Sequence, residues 1–310
     1  MASTSEQPHH PVQLTREETK LKQTAARLSI LAAAFLIVLK TATGWVTGSI
    51  SVWASLLDSA MDIIASTINF FAVRAASLPP DDDHLYGHGK AESLAGLFQA
   101  AVITASGLFL VREAVLRIVT PRATASEWVG VGTMVVAAAV SVLLVARLRS
   151  IARQTDSPAL SADAAHYASD VYANGAALVA LATVALTGWR LADPLISLAI
   201  SGYILHSAVQ VGRESVDVLM DRRLPPEVDD RVAEVVSRFE PQGVINFHDL
   251  RTRRSGSVKF IDLHLAVRRD LSFEAAHDLT VRVLRAIEAE IPRSRVQIHT
   301  DPWDEEQSRE

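Results

Sequence analysis

Residues 50–76 read ISVWASLLDSAMDIIASTINFFAVRAA. As one helix this run is about 40 Å long, more than the ~30 Å hydrocarbon core of a bilayer. Its charges are Asp58, Asp62 and, near the end, Arg74. Asp58 and Asp62 are spaced i,i+4, so both carboxylates lie on one helical face. Asp58 is about eight residues, or ~12 Å, into the helix. A carboxylate at that depth costs a few kcal/mol or more, and acids kept there line a pathway or bind an ion. The plain alternative is a structural pair neutralised by Lys40 in the preceding apolar run. Two acids need more compensation than one lysine supplies.

Five further apolar segments flank this one, near 26–47, 91–118, 127–148, 161–187 and 191–213. Each is close to the ~20 residues that a spanning helix needs. Their number and short links argue against a buried soluble bundle. The expected fold is therefore an α-helical membrane protein with six transmembrane helices over residues 25–220. Charge is distributed accordingly. Asp, Glu, Lys and Arg number 6 in residues 1–24, 26 in residues 25–220, and 33 in residues 221–310. Lysine and arginine near the segment ends favour the N-terminal side by twelve to four, so both termini are expected in the cytoplasm. Residues 1–24 read as a polar tail, His9 and His10 included, without the apolar core of a cleavable signal peptide. No basic block suggests nucleic acid as a partner. The absence of cysteine excludes disulfides, Cys-based zinc sites and thiol catalysis.

The pattern changes after Leu224-Pro225-Pro226. Residues 227–239 and 273–290 read as helices, and 244–253, 257–268 and 295–300 as strands, the first two joined at Ser255-Gly256. The order αββαβ predicts a small α+β domain over 221–303 with helices on one sheet face, followed by a short tail, 304–310. In the second strand Ile261, Leu263, Leu265 and Val267 alternate with Phe260, Asp262, His264 and Ala266. His264 and His299 are therefore expected on the sheet face away from the helices. That face, with Phe260, is also suited to pairing with a second copy.

Three groups of residues have the composition of metal ligands. His166 and Asp170 repeat the i,i+4 device near the start of the fifth segment. With Asp58 and Asp62 they offer three carboxylates and one imidazole, a set suited to tetrahedral Zn²⁺ and also acceptable to Cd²⁺, Fe²⁺ or Co²⁺. The loop after the second segment contains Asp81, His84 and His88, whose plain reading is a hydrated acidic turn. The last 90 residues hold His248, His264, His277, His299 and Asp301. Enzyme readings fare worse. His84 and His88 lack the glutamate of a metalloprotease helix, and Gly89-Lys90 lacks the rest of a phosphate loop, so ATP is not expected to drive this chain. An intramembrane aspartyl protease would bring its two acids from separate helices.

Together, Asp58-x-x-x-Asp62, Gly87-His88-Gly89-Lys90-Ala91-Glu92, His166-x-x-x-Asp170 and the histidine-bearing αββαβ tail resemble the cation diffusion facilitator family of metal/proton antiporters, from about residue 25 to 303. The resemblance implies a homodimer with six spans per protomer and a ferredoxin-like, metallochaperone-like cytoplasmic domain. Asp58, Asp62, His166 and Asp170 would form the transport site, and Asp81, His84 and His88 a peripheral loop site. His248, His264, His299 and Asp301, with His277 assisting, would form a two-metal site bridging the cytoplasmic domains. Lys90 and Asp221 would pair as a charge interlock. The Asp-Asp-His-Asp set is similar to zinc- and iron-transporting members, so Zn²⁺ is the expected cargo, with Fe²⁺ or Cd²⁺ next. No long His-rich loop separates the fourth and fifth segments, which suggests a bacterial-type protein of the cytoplasmic (inner) membrane. The alternative function is a metal-gated passive cation channel, which would move metal without protons.

Overall fold

The computed structural model describes residues 15–47, 50–119, 128–189 and 191–303. His9, His10 and the 304–310 tail lie outside the described residues, as does the side chain of Asp58. The elements are α1 (Arg16–Thr47), α2 (Ile50–Ala76), α3 (Lys90–Val119), α4 (Trp128–Thr155), α5 (Pro158–Thr187), α6 (Ala192–Leu219), α7 (Pro226–Ser237), β1 (Val244–Ser255), β2 (Val258–Val267), α8 (Phe273–Glu290) and β3 (Ser294–Pro302). Two compact units result. One joins Arg16–Leu78 to Lys90–Val216; the other joins Pro79–Gly89 to the chain from Asp217 onward.

The helical unit carries large apolar side chains on its outer surface and buries several polar ones within an apolar core. Leu31, Phe35, Val38, Leu108, Phe109, Leu143 and Val209 are exposed, whereas Lys22, Ser29, Asp62, Ser66, Asn69, Glu92, Gln99, Asp163 and His166 are buried. Exposed apolar surface on this scale is stable only against lipid or another protein. Where helices touch, alanine predominates: Ala25, Ala26, Ala95, Ala152, Ala159, Ala164 and Ala168 surround Leu148, Leu160 and Tyr167. Small residues let spanning helices approach closely. Four helices among the described residues have the length and composition to cross a membrane: Arg16–Thr43, Lys90–Val119, Val135–Thr155 and Ala192–Leu219. The two long helices outside that group, α2 and α5, carry the paired candidate ligands, and part of each lies outside the described side chains.

Several helices run past the apolar segments. α1 begins at Arg16, ahead of the apolar run, because Arg-Glu-Glu-Thr-Lys-Leu-Lys-Gln is made mostly of good helix formers. α4 continues through its arginines to Thr155. α5 starts sharply, with Ser157 as its N-cap accepting from the Leu160 N–H and Pro158 in the first turn. It stops at Gly188, whose φ of 72° suits a glycine C-cap and whose N–H bonds Val184 O.

In the second unit the sheet order is β1-β2-β3, with β1 antiparallel and β3 parallel to β2. A parallel pair needs a crossover, and α8 provides it. Ile261, Leu263, Leu265 and Val267 pack with Val232, Val235 and Val236 of α7 and Leu279, Val283 and Ile287 of α8. The opposite face carries a row of histidines. His248 of β1 pairs in register with His264 of β2, which pairs with His299 of β3. The turn at Gly256 has φ +59° and sits against the Pro79–Gly89 loop: a Cβ on Gly89 would lie 2.5 Å from Ser255 O. Tyr86 of that loop packs edge-on against Phe260, and Arg253 stacks over both rings.

Candidate metal sites

α2 and α5 pack against each other and bring their ligands together inside the helical unit. His166 Nε2 stands 2.9 Å from Asp62 Oδ1, and the two residues are 2% and 5% exposed. Asp170 completes the group: one donor atom from each of the three lies within 4.8 Å of the others. Tetrahedral donors about 2.1 Å from a zinc ion are about 3.4 Å apart, so closing these side chains by an ångström or so would enclose one. His166 Nδ1 is buried with no hydrogen-bond partner in the structure, which leaves Nε2 as the nitrogen turned to the carboxylates. Asp58 stands one turn before Asp62 on α2. Lys40, the lysine of the alternative structural reading, donates to Ser59 Oγ at 2.7 Å.

Polar groups that the spacing arguments did not single out surround this cluster. Asp163, fully buried on α5, accepts from Ser29 Oγ of α1 at 2.6 Å. Tyr167 donates its hydroxyl to Ser29 O at 3.1 Å and shares a 2.9 Å hydrogen bond with Ser66 Oγ of α2. Elsewhere in the unit, Lys22 Nζ of α1 donates to Glu92 Oε1 of α3 at 2.7 Å, with side chains 0% and 1% exposed. Ser157, at the start of α5, donates to Glu92 Oε2 at 2.6 Å. These contacts join α1, α3 and the helix that carries His166. One sequence signal pointed to Asp163: it stands three residues before His166, on the same face.

In the loop, Asp81 Oδ1 accepts from the backbone N–H of His84 at 2.7 Å and of Asp83 at 3.2 Å. His84 Nδ1 and His88 Nε2 each lie 3.2 Å from an Asp81 oxygen, and the two rings are 4.5 Å apart. Slight desolvation pushes the Asp81 carboxyl up, but the His84 backbone N–H and both imidazoles outweigh it and hold it below the usual carboxylate range. Asp81 is thus ready as an anionic donor, and the three residues meet within 4.8 Å. An acid and two imidazoles fit Zn²⁺ or a similar cation, with a fourth position left for water or another donor.

On the sheet, Asp301 Oδ2 lies 2.9 Å from His264 Nδ1 and 3.9 Å from His248 Nε2, and its Oδ1 lies 3.2 Å from His299 Nε2. One carboxylate therefore serves three imidazoles in a row across three strands. Its two oxygens face different histidines, a geometry that suits more than one cation. A bulge follows His248, where Asp249 takes a φ of 51°, and re-aims the strand beside the site. His277 stands apart on α8, where its ring stacks on Phe273. Lys90 and Asp221 fall in different units; in its own unit Asp221 lies 3.5 Å from Arg253.

Comparison with known proteins also divides the chain near residue 220, with residues 79–89 falling in the first part. Residues 26–220 match the cation efflux transmembrane domain, and residues 224–303 match the cation efflux protein cytoplasmic domain. The chain is 42% identical over 283 residues to the cation-efflux pump FieF of Citrobacter koseri, covering 91% of this chain and 93% of that protein. FieF of Salmonella agona is 41% identical over the same extent. Among solved structures, CzrB in its Zn form is similar over 26% of this chain and 92% of that chain, at 35% identity and a TM-score of 0.25. The metal-bound C-terminal domain of CzcD from Thermotoga maritima covers 24% of this chain and 87% of that chain, at 31% identity and a TM-score of 0.23. A helical unit with an apolar outer surface, two matched domains and close relatives along nearly the whole length lead to one conclusion: this chain belongs to the cation efflux, or cation diffusion facilitator, family, and is an integral membrane transporter of metal cations, not an enzyme.

Proposed function

We propose that the chain is a proton-coupled antiporter that exports Zn²⁺, or alternatively Fe²⁺ or Cd²⁺, from the bacterial cytoplasm. Asp58, Asp62, His166 and Asp170 form its transport site. The observation that carries this reading is the meeting of Asp62, His166 and Asp170 in the interior of a helical unit whose outer surface is apolar. Both the cation and the protons compete for these side chains. Ionised carboxylates and a neutral imidazole bind metal, and their protonated forms do not. Protonation on the acidic outer side expels the ion; the emptied site reopens inward, loses its proton to the cytoplasm and loads again. In this reading six helices span the bilayer, both termini are cytoplasmic, and two protomers associate through the sheet domains. Lys90 and Asp221 act as a charge pair. The site then alternates as helix groups rock around it.

The test is Zn²⁺ flux in proteoliposomes under an imposed pH gradient with internal pH recorded. Zinc should move against protons, and Asp170→Ala should stop both. Zinc flux with no pH signal would establish the passive channel instead. Metal at the His248–His264–His299–Asp301 row is proposed to favour one arrangement of the dimer, linking export to the internal metal level. A ligand regulates only by preferring one state. Transport that keeps its metal dependence after His264→Ala with His299→Ala would remove that regulatory role.

A further inference from the structure

One seam of the helical unit's outer surface, where α4, α5 and α6 meet, is polar. Arg149 of α4 and Tyr203, His206 and Gln210 of α6 are exposed there, although both helices have the length and composition to cross a membrane. Arg149 is six residues before the end of α4 at Thr155. A long side chain on a helix leans toward the helix N-terminus, so Arg149 leans into the span. α5 starts at Pro158 and packs back along α4, and its Tyr172 leans toward Arg149. The Tyr172 hydroxyl oxygen accepts from the guanidinium and shares a hydrogen bond with Tyr203. The two phenol rings stand edge-on, with centroids 5.1 Å apart. His206 and Gln210 follow one and two turns after Tyr203 on the same face, and Gln210 Nε2 lies 3.0 Å from His206 Nε2. Among the described residues no carboxylate forms an ion pair with Arg149. An arginine at lipid depth snorkels to water or pairs with an opposite charge. Here a phenol holds it inward, and most of its five N–H donors are left for another acceptor.

We propose that Arg149, Tyr172 and Tyr203, with the His206–Gln210 pair beside them, bind the headgroup of an anionic phospholipid. The inference rests on the transport reading above for placing this seam in the cytoplasmic leaflet. Chain continuity agrees: α5 ends at Thr187 and α6 begins at Ala192, so the α4–α5 link lies at the end where α6 leads into the matched cytoplasmic domain. Arg153 and Arg213, nearer that end, are exposed as well. Basic pockets between spanning helices on the cytoplasmic side collect anionic headgroups. A guanidinium fork matches two phosphate oxygens, and a phenol hydroxyl can donate to a third. His206 and Gln210, one and two turns nearer the exit, then face the headgroup alcohol. The acyl chains run deeper along exposed apolar surface such as Val142, two turns from Arg149 on the same face of α4.

The test titrates phosphatidylglycerol and, separately, phosphatidylcholine onto delipidated full-length protein in detergent and counts bound lipid by native mass spectrometry. Thermal unfolding and elution volume check folding and oligomeric state. The wild type should hold one phosphatidylglycerol per chain about tenfold more tightly than phosphatidylcholine. Arg149→Gln should weaken phosphatidylglycerol roughly tenfold and Tyr203→Phe about threefold. Arg149→Lys keeps the charge without the fork and should recover part of the loss. Arg147→Gln, an exposed arginine on the same helix, should change affinity by less than about twofold. Equal affinity for the two lipids, or an equal loss in Arg147→Gln, makes the attraction general and overturns the proposal. Displacement of the lipid by an equal concentration of inorganic phosphate makes this a free-anion site and also overturns it. So does an Arg149→Gln chain that loses its dimer at every lipid concentration, because the seam then faces a second copy. Should Arg149→Gln not fold, unchanged affinity in Tyr172→Phe is sufficient to overturn the proposal. Lipid binding is read without flux, so absence of Zn²⁺ transport in the wild type counts against the transport reading alone.

Discussion

His166→Ala is expected to abolish metal transport and to lower Zn²⁺ affinity at the helical site by at least about a hundredfold. Loss of a partner that merely orients a ligand typically costs 10–100-fold in affinity, and His166 is itself the nitrogen donor of the proposed set. Its Nε2 lies 2.9 Å from Asp62 Oδ1 in a region only a few per cent exposed. Without the ring, the proposed set keeps its carboxylates but loses its nitrogen donor, the group that Asp62 Oδ1 faces. His166→Asp makes a sharper comparison. It restores a donor but makes the set all-oxygen, so binding should return with preference moved from Zn²⁺ toward Mn²⁺. Calorimetric titration of both variants, with elution volume as the check on folding, measures this directly. Wild-type Zn²⁺ affinity in His166→Ala would remove the histidine from the ligand set.

The spacing of the two candidate pairs was legible because helix geometry is local. An i,i+4 spacing puts Asp58 with Asp62, and His166 with Asp170, on single faces before any tertiary structure is known. The sheet's histidines were legible for the same reason, since alternation in β2 separates His264 from Leu263 and Leu265. What spacing cannot encode is which faces meet. Ser29 and Asp163 are 134 positions apart, and Lys22 and Glu92 are 70 apart, so neither contact has a local signature. The start of α1 at Arg16 was obscured because its first turns are polar, and polarity alone does not separate a surface helix from a tail. Likewise, nothing in residues 79–89 announces that Tyr86 will pack on Phe260 or that Gly89 must lack a Cβ beside Ser255. The loop's candidate ligands were visible, whereas the surface that holds them was not.

The Lys22–Glu92 pair should account for the largest stability change available outside the metal ligands. Glu92→Gln leaves the ammonium of Lys22 in a fully buried position without the charge it faces, and Lys22→Met does the reverse to the carboxylate. Breaking one side of a buried pair costs about 3–5 kcal/mol, because the remaining charge keeps its desolvation penalty and loses its compensation. Either substitution should therefore lower the unfolding midpoint by about 10 °C, at roughly 2–4 °C per kcal/mol for a domain of this size. Combining them should restore most of the loss. The glutamine still accepts from Ser157, methionine fills the lysine's apolar path, and neither charge of the pair remains. Replacing a buried ion pair by neutral groups is often harmless or favourable. The measurement is thermal unfolding of the four proteins in one detergent, read as a double-mutant cycle. If the two losses simply add, the pair is not a coupled unit. If the double variant is stable but transports poorly, the charges serve motion, not stability. Ser157 makes that second outcome informative, because the hydroxyl bonded to Glu92 also caps the helix that carries His166.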